Sequence, residues 1–345
     1  MNISDFVAFA TSELTVFYTV FIILAVAFVN GWTDAPNAIS SSVSTRSIKM
    51  KHAVIIAAIA DFSGAVLIGG LNGNVTRTMV NISDFGNDGK TALLSVSAAM
   101  TSVVLWAVFA WFFGIPTSES HALIAGLTGA SVAVNKGFSG IDLSEWKKVI
   151  YGLLVSVVFG LVLGLIVSKI TVKMFIDKDK SKSDKFFSVS QVLSSIFMSF
   201  MHGAQDAQKF VGVLLLVSET AVAKECDKAP MWMLVMCSLI IASGTATGGE
   251  RIIKSVGMDM IKLRKDQGFS ADLSGAICLL ISTLCGFPVS TTHTKTSAVI
   301  GVGVAKSIKS VNWKVAFEMI AAWILTFPGC GLLGWAICSL FLKIF

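Results

Sequence analysis

The sequence predicts an all-α integral membrane protein of two inverted-topology repeats, each with a broken helix motif and a re-entrant helical hairpin. Three observations carry that prediction. Charged residues are 14% of the chain against 54% hydrophobic, and mean hydropathy is +0.78. A soluble domain carries about 25% charged residues, so this chain cannot wet its own surface. Second, Gly114-Ile115-Pro116-Thr117-Ser118-Glu119-Ser120-His121 recurs 172 positions on as Gly286-Phe287-Pro288-Val289-Ser290-Thr291-Thr292-His293, with Gly, Pro, Ser and His in register. Third, the same offset relates Gly31-Trp32-Thr33-Asp34-Ala35-Pro36-Asn37 to Gly203-Ala204-Gln205-Asp206-Ala207-Gln208-Lys209. With only five prolines and four histidines in the chain, two of each in register mark a duplication.

The elements follow in order. The apolar run from Leu14 to Val29 stops at Asn30-Gly31, short of the roughly 20 residues of a spanning helix. Pro36 suits the first turn of a new helix, so Leu14–Val29 and Ala35–Ile48 form a broken pair. His52–Leu71 is the next span, with Asp61 and Gly64 in its middle, and Leu93–Phe113 runs into the first hairpin tract. Ala122–Val134 is too short to cross and reads as half of a re-entrant hairpin; Val149–Phe175 closes the unit. The second unit repeats the order: Val189–Met201, the Gly203–Lys209 motif, Phe210–Val222, Trp232–Ala246, Leu273–Cys285, the second hairpin and Ala316–Leu342. Residues 1–175 thus form repeat 1, 176–187 a polar linker and 188–345 repeat 2. Five crossings per unit, an odd number, set the two units upside down to one another.

Charge excludes other classes. The net charge of +6 sits in short basic clusters between apolar runs, the pattern of membrane loops and not of a nucleic-acid binder. Lysines from 173 to 185 favour a cytoplasmic linker, whereas the basic run from Arg251 to Lys265 argues the reverse, so orientation stays open. No basic segment precedes the first apolar run, where Asp5 and Glu13 stand, so no cleaved signal peptide is expected. The six cysteines, Cys226 among them, lie in the second half and read as small packing residues. No phosphate-binding nucleotide loop, metal-ligand cluster or catalytic set is present: the chain is not an enzyme, and no cofactor or metal is expected.

Asp34 and Asp206 stand at equivalent breaks in apolar surroundings. One such carboxylate at bilayer depth costs about 3 kcal/mol, and either alone could cap the following helix. Two at related positions point to function. Thr117, Ser118 and Ser120, with Ser290, Thr291 and Thr292, set hydroxyls at the starts of two short helices, where free N–H groups suit an anion. His121 and His293 are either proton relays or packing residues. Lys209, the basic residue of the core motifs, is an anion partner or the counter-ion of Asp206, and Asp61 is a cation-site carboxylate or a polar contact between helices.

At these residues the chain resembles the inorganic phosphate transporter (PiT) family, nearer the bacterial low-affinity branch. The shared features are Asn30-Gly31-x-x-Asp34-x-x-Asn37-Ala38, His202-Gly203-x-x-Asp206-x-Gln208-Lys209, the two Pro-x-Ser-x-x-His tracts, and Gly244-Thr245 through Arg251-Ile252-Ile253 and Val256-Gly257. The resemblance implies import of inorganic phosphate across the cell membrane by a symporter working through alternating access. Substrate would be held by Asp34, Asn37, Thr117, Ser118, Ser120, Asp206, Lys209, Ser290, Thr291 and Thr292. Cation coupling would involve Asp34, Asp61, Asp206, His121 and His293, with H⁺ or Na⁺ as the driver and free phosphate or a metal–phosphate as cargo. Thr33 and Gln205 depart from the residues many members carry there, and Lys209-Phe210 stands where sodium-coupled members have Asn-Ala. Partners are phosphate, the coupling cation and the bilayer; a homodimer stays open. A sulfate or other oxyanion permease, or a passive anion channel, are the rival readings.

Overall fold

The computed structural model describes residues 2–86, 88–113, 117–222, 229–247, 253 and 260–345. Gly114, Ile115 and Pro116 of the first hairpin, Cys226, and Gly248–Ile252 with Val256-Gly257 lie outside the described residues. The described chain is helical: α1 (Ile3–Ala10), α2 (Leu14–Thr33), α3 (Pro36–Ser44), α4 (Met50–Leu71), α5 (Asn74–Asn81), α6 (Gly89–Phe113), α7 (Glu119–Asn135), α8 (Leu143–Leu154), α9 (Gly160–Phe175), α10 (Lys180–Val222), α11 (Met231–Thr247), α12 (Lys265–Leu284), α13 (Thr291–Lys306) and α14 (Trp313–Ile344). A π-helical stretch, Val155–Phe159, joins α8 to α9.

Among the described residues, six helical stretches are long and apolar enough to cross a membrane: Leu14–Ser44, Met50–Leu71, Gly89–Ala110, Leu143–Phe175, Lys265–Leu284 and Trp313–Ile344. The side chains are arranged accordingly. Phe21, Ile59, Phe109, Ile166, Leu193 and Leu325 face outward, while Ser40, Asp61, Asp206, Lys209, Asp272 and Lys295 are buried. An apolar exterior around a polar centre is stable in lipid, where outward leucine and phenylalanine lose nothing by exposure.

The first motif breaks as its proline requires. The amides of Asp34 and Ala35 both turn to the Asn30 carbonyl, at 2.8 and 3.4 Å, before α3 starts at Pro36. The second motif corrects the expectation of a matching break: α10 runs unbroken from Lys180 to Val222, through Gly203–Lys209 and into the polar linker. Gln208 stands where the first unit has Pro36, and it keeps the N–H that proline lacks.

The duplication is visible in the packing. α2 lies on α6 and α11, and α10 correspondingly on α12 and α4. α7 packs along α14, and α13 along α9, so each short helix leans on the last long helix of the other half. Gly31 and Gly203, 172 positions apart, permit these crossings: a Cβ would strike the Ile241 carbonyl from Gly31 and the Asp61 carbonyl from Gly203.

Contacts along α14 fix the directions of the short helices. Cys330 lies against the Ala122 carbonyl and Cys338 against that of Ala130, so α7 runs parallel to α14. His293 lies against Trp323, while the Ser310 hydroxyl, just before α14, reaches the carbonyl of Gly303 near the far end of α13. α13 therefore runs antiparallel to α14. The two short helices start side by side at mid-molecule and run apart in opposite directions.

Candidate functional site

The starts of α7 and α13 meet at the α2–α3 break and the middle of α10. Ser118 accepts from the His121 amide at 3.3 Å, and Ser290 from the His293 amide at 3.2 Å. The two hydroxyls are therefore helix caps first, 172 residues apart and alike. In α13 the turn before the cap needs its glycine, because Gly286 has φ +74°. Thr117 is the least buried of the predicted hydroxyl set; Ser120, Thr291 and Thr292 point inward and are buried.

Asp34 and Asp206 lie in one buried cluster. Thr292 and Asn37 donate to Asp34 Oδ1, Asn37 at 3.0 Å, and the Asn37 amide also reaches the Thr292 hydroxyl at 2.9 Å. Asn30 donates to Asp206 Oδ2 at 2.9 Å. Lys209 draws the halves together: its ammonium donates to Asp206 Oδ1 at 2.6 Å, to Ser120 Oγ of one hairpin at 2.5 Å and to the Val289 carbonyl of the other at 2.7 Å. Among the buried atoms with no hydrogen-bond partner are Asp34 Oδ2, Asn37 Oδ1 and Thr291 Oγ1. Acceptors left bare at such depth are costly by about 1–3 kcal/mol each, and here they gather beside the helix starts.

Behind this cluster lies Asp61, for which the sequence leaves open a cation-site carboxylate or a polar contact between helices. His202 links it to the site, with Nδ1 3.2 Å from Asp61 Oδ1 and Nε2 3.4 Å from Asp206 Oδ2; Thr245 donates to Asp61 Oδ2 at 3.1 Å. The second distance is a close approach and not a hydrogen bond, since Nε2 lacks an aligned partner. Sequence spacing shows no metal-ligand cluster, but the fold brings Asp34 to His202 and Asp206, far from it in the chain, where each offers a ligand atom within 4.8 Å of the others, a donor set able to hold a cation. His121 and His293 touch each other and the rings of Phe327 and Trp323, with centroid distances of 4.6 and 3.8 Å.

Two groups of residues escape the sequence reading of the site, one inside a duplicated tract and one outside both. Glu119 is buried and takes a hydrogen bond from Thr33 at 3.1 Å. Asp272 and Lys295 form a buried pair on α12 and α13. The available signal was a lone charge in each stretch, Glu119 within the first hairpin tract and Lys295 two residues past the second, which periodicity alone cannot assign.

A helical bundle with a lipid-facing exterior, two opposed helix starts and ionisable groups at its centre is, by class, a multi-pass membrane transport protein. The chain belongs to the phosphate transporter family, whose profile matches residues 30–334. A "Probable low-affinity inorganic phosphate transporter" of Bacillus subtilis (strain 168) is 36% identical over 312 residues, covering 90% of this chain and 92% of the relative. A protein of the same description from Rhizobium meliloti (strain 1021) is 38% identical over 314 residues, covering 90% and 91%. A solved structure described as "The sodium-dependent phosphate transporter" shares the fold, with TM-score 0.86 at 21% identity over 96% of this chain and 100% of that one. Phosphate transport in the plasma membrane, not catalysis, is the activity of this family.

Proposed function

We propose that the protein is a secondary active symporter that imports inorganic phosphate by alternating access, driven by H⁺ or Na⁺. The observation that carries this reading is the mixed character of the central cluster. One cation, Lys209, and two helix starts favour an anion, yet Asp34 Oδ2 and Asn37 Oδ1 are buried acceptors with no donor. Phosphate near neutral pH carries one or two protons and satisfies both demands at once. Sulfate has none and would set an oxygen lone pair against the Asp34 carboxylate.

The opposed short helices support two inverted units, repeat 1 over 1–175 and repeat 2 over 188–345, that rock about the shared site. Ser120, Lys209 and Thr292 contact the phosphate oxygens, while Asp34 Oδ2 and Asn37 Oδ1 accept hydrogen bonds from its hydroxyls. The coupling cation offsets the surplus negative charge that phosphate brings to two carboxylates; Asp34, Asp61 and Asp206 are the groups that take it up. Labelled phosphate uptake into proteoliposomes under an imposed H⁺ or Na⁺ gradient tests the reading. Accumulation against the phosphate gradient that collapses when the driving gradient is dissipated supports it. Flux that only equilibrates phosphate would replace the symporter with a passive channel.

A further inference from the structure

One turn beyond the central cluster lies a second buried ionic group that the duplicated motifs do not contain. Lys295 on α13 pairs with Asp272 on α12, and both side chains are 0% exposed. The Lys295 ammonium also donates to Ser41 Oγ on α3 at 2.6 Å. Asp272 has two further donors: Ser41 to Oδ1, and Ser195 on α10 to Oδ2 at 2.7 Å.

Polar contacts continue from this group to the surface. Ser41 lies four residues after Asn37 on α3, and Lys295 three after Thr292 on α13, so the pair adjoins the site by one helical turn on two elements. In the other direction, Gln191 is one turn from Ser195 and Thr45 one turn from Ser41. Gln191 Oε1 accepts from Thr45 at 2.8 Å and from Ser47 at 2.6 Å. Thr45 in turn lines a surface cavity of about 690 Å³ that presents Lys178 and Lys180, with Arg264 paired to Asp266 and Lys265 to Asp184; an adjacent one of about 470 Å³ adds Lys169, Lys173 and Lys306, so the excess is basic. A polar file thus joins the site to a basic vestibule on the linker face.

Among the described residues, the counterparts of this file in the other half of the duplication are apolar. Shifting Ser195, Asp272, Lys295 and Ser41 by 172 positions gives Ile23, Met100, Leu123 and Val213. All four are 0% exposed and lie in the largest apolar core. A phosphate ion cannot enter such a dry contact without losing its hydration, a cost of many kcal/mol. One side of the site is therefore closed by packing, and the other by a pair of charges.

We propose that Lys295 is a second phosphate-contacting residue, a relay between the central site and the basic vestibule, with the Asp272–Lys295 pair as the gate of that path. Phosphate arriving at Lys295 replaces Asp272 as its counter-ion. Asp272, meanwhile, retains the hydroxyls of Ser41 and Ser195, so the carboxylate is not stranded when the ammonium turns away. The exchange moves no covalent bond and needs no proton.

The inference rests on the phosphate reading above, and the test separates the two. The double variant D272M/K295L installs the residues of the apolar half. Replacing a buried ion pair by packed apolar groups is commonly neutral or stabilising, so this variant is expected to insert and fold. In proteoliposomes, uptake of labelled phosphate should fall at least about tenfold, while equilibrium phosphate binding to the purified protein stays within about threefold of wild type. D272N/K295M, which keeps polar shape without charge, should behave likewise and serves if the first variant folds poorly. Uptake by either folded double variant within about threefold of wild type would show the pair to be structural only and overturn the relay. Wild-type protein that neither binds nor takes up phosphate would instead remove the phosphate reading.

Discussion

His121 and His293, counterparts across the duplication, meet edge to face with ring centroids 4.3 Å apart and planes at 79°. Each ring thus touches the residue 172 positions away from it in the duplicated motif. His121 Nδ1 and both ring nitrogens of His293 are buried without hydrogen-bond partners. Replacing both rings by phenylalanine keeps the contact and removes every titratable nitrogen from it. With H⁺ as the driver, the expected result is folded protein whose uptake no longer rises as external pH is lowered. A pH profile identical to wild type would take the pair out of cation coupling.

Asp206 and Lys209 form the tightest charged contact in the central site, and each is buried. Asp206→Asn is expected to lower phosphate uptake by about a hundredfold or more while leaving insertion intact. Lys209→Met strands the Asp206 carboxylate and should destabilise the folded protein by about 3–5 kcal/mol, read as lost thermal stability in detergent. Asp206→Asn/Lys209→Met should recover much of that stability but no uptake. Recovery of uptake in the double variant would mean the pair only holds the helices together.

Anion selectivity follows from the bare acceptors at Asp34 and Asn37. Arsenate, tetrahedral and protonated at neutral pH as phosphate is, should compete with labelled phosphate. Sulfate in about hundredfold excess should leave uptake nearly unchanged, because a carboxylate opposite an unprotonated oxygen is repelled. Asp34→Asn should narrow that difference. Equal inhibition of the wild type by sulfate would sink the carboxylate argument.

The crossing of α10 over α4 depends on Gly203, whose added Cβ would meet the Asp61 backbone. Gly203→Ala should destabilise the protein by about 1–3 kcal/mol through overpacking, and should shift Asp61 away from His202. Gly73, where a Cβ meets open space, provides the control: Gly73→Ala should change neither stability nor uptake. A loss no greater at Gly203 than at Gly73 would show that this crossing can adjust.

Much of this protein was determined by composition and by a repeat that any reader of the chain can find. A bilayer and long continuous apolar runs together fix the type of element, since only helices and closed barrels satisfy a backbone in oil and barrel strands alternate, and the 172-residue offset pairs each polar tract with its counterpart. Asp34, Asp206, Lys209 and Thr292 were legible for that reason: each is a polar group where lipid-adjacent sequence should be apolar. The continuity of α10 was legible only on comparing Gln208 with Pro36, one amide hydrogen deciding between a bend and a straight helix. Tertiary structure decided the rest. That Lys209 reaches both hairpins, that His202 stands between Asp61 and Asp206, and that Asp272 finds Lys295 are matters of helix crossing, which brings together residues far apart in the chain. A pattern along one helix reports what that helix must hide; it does not report which distant partner makes the hiding affordable.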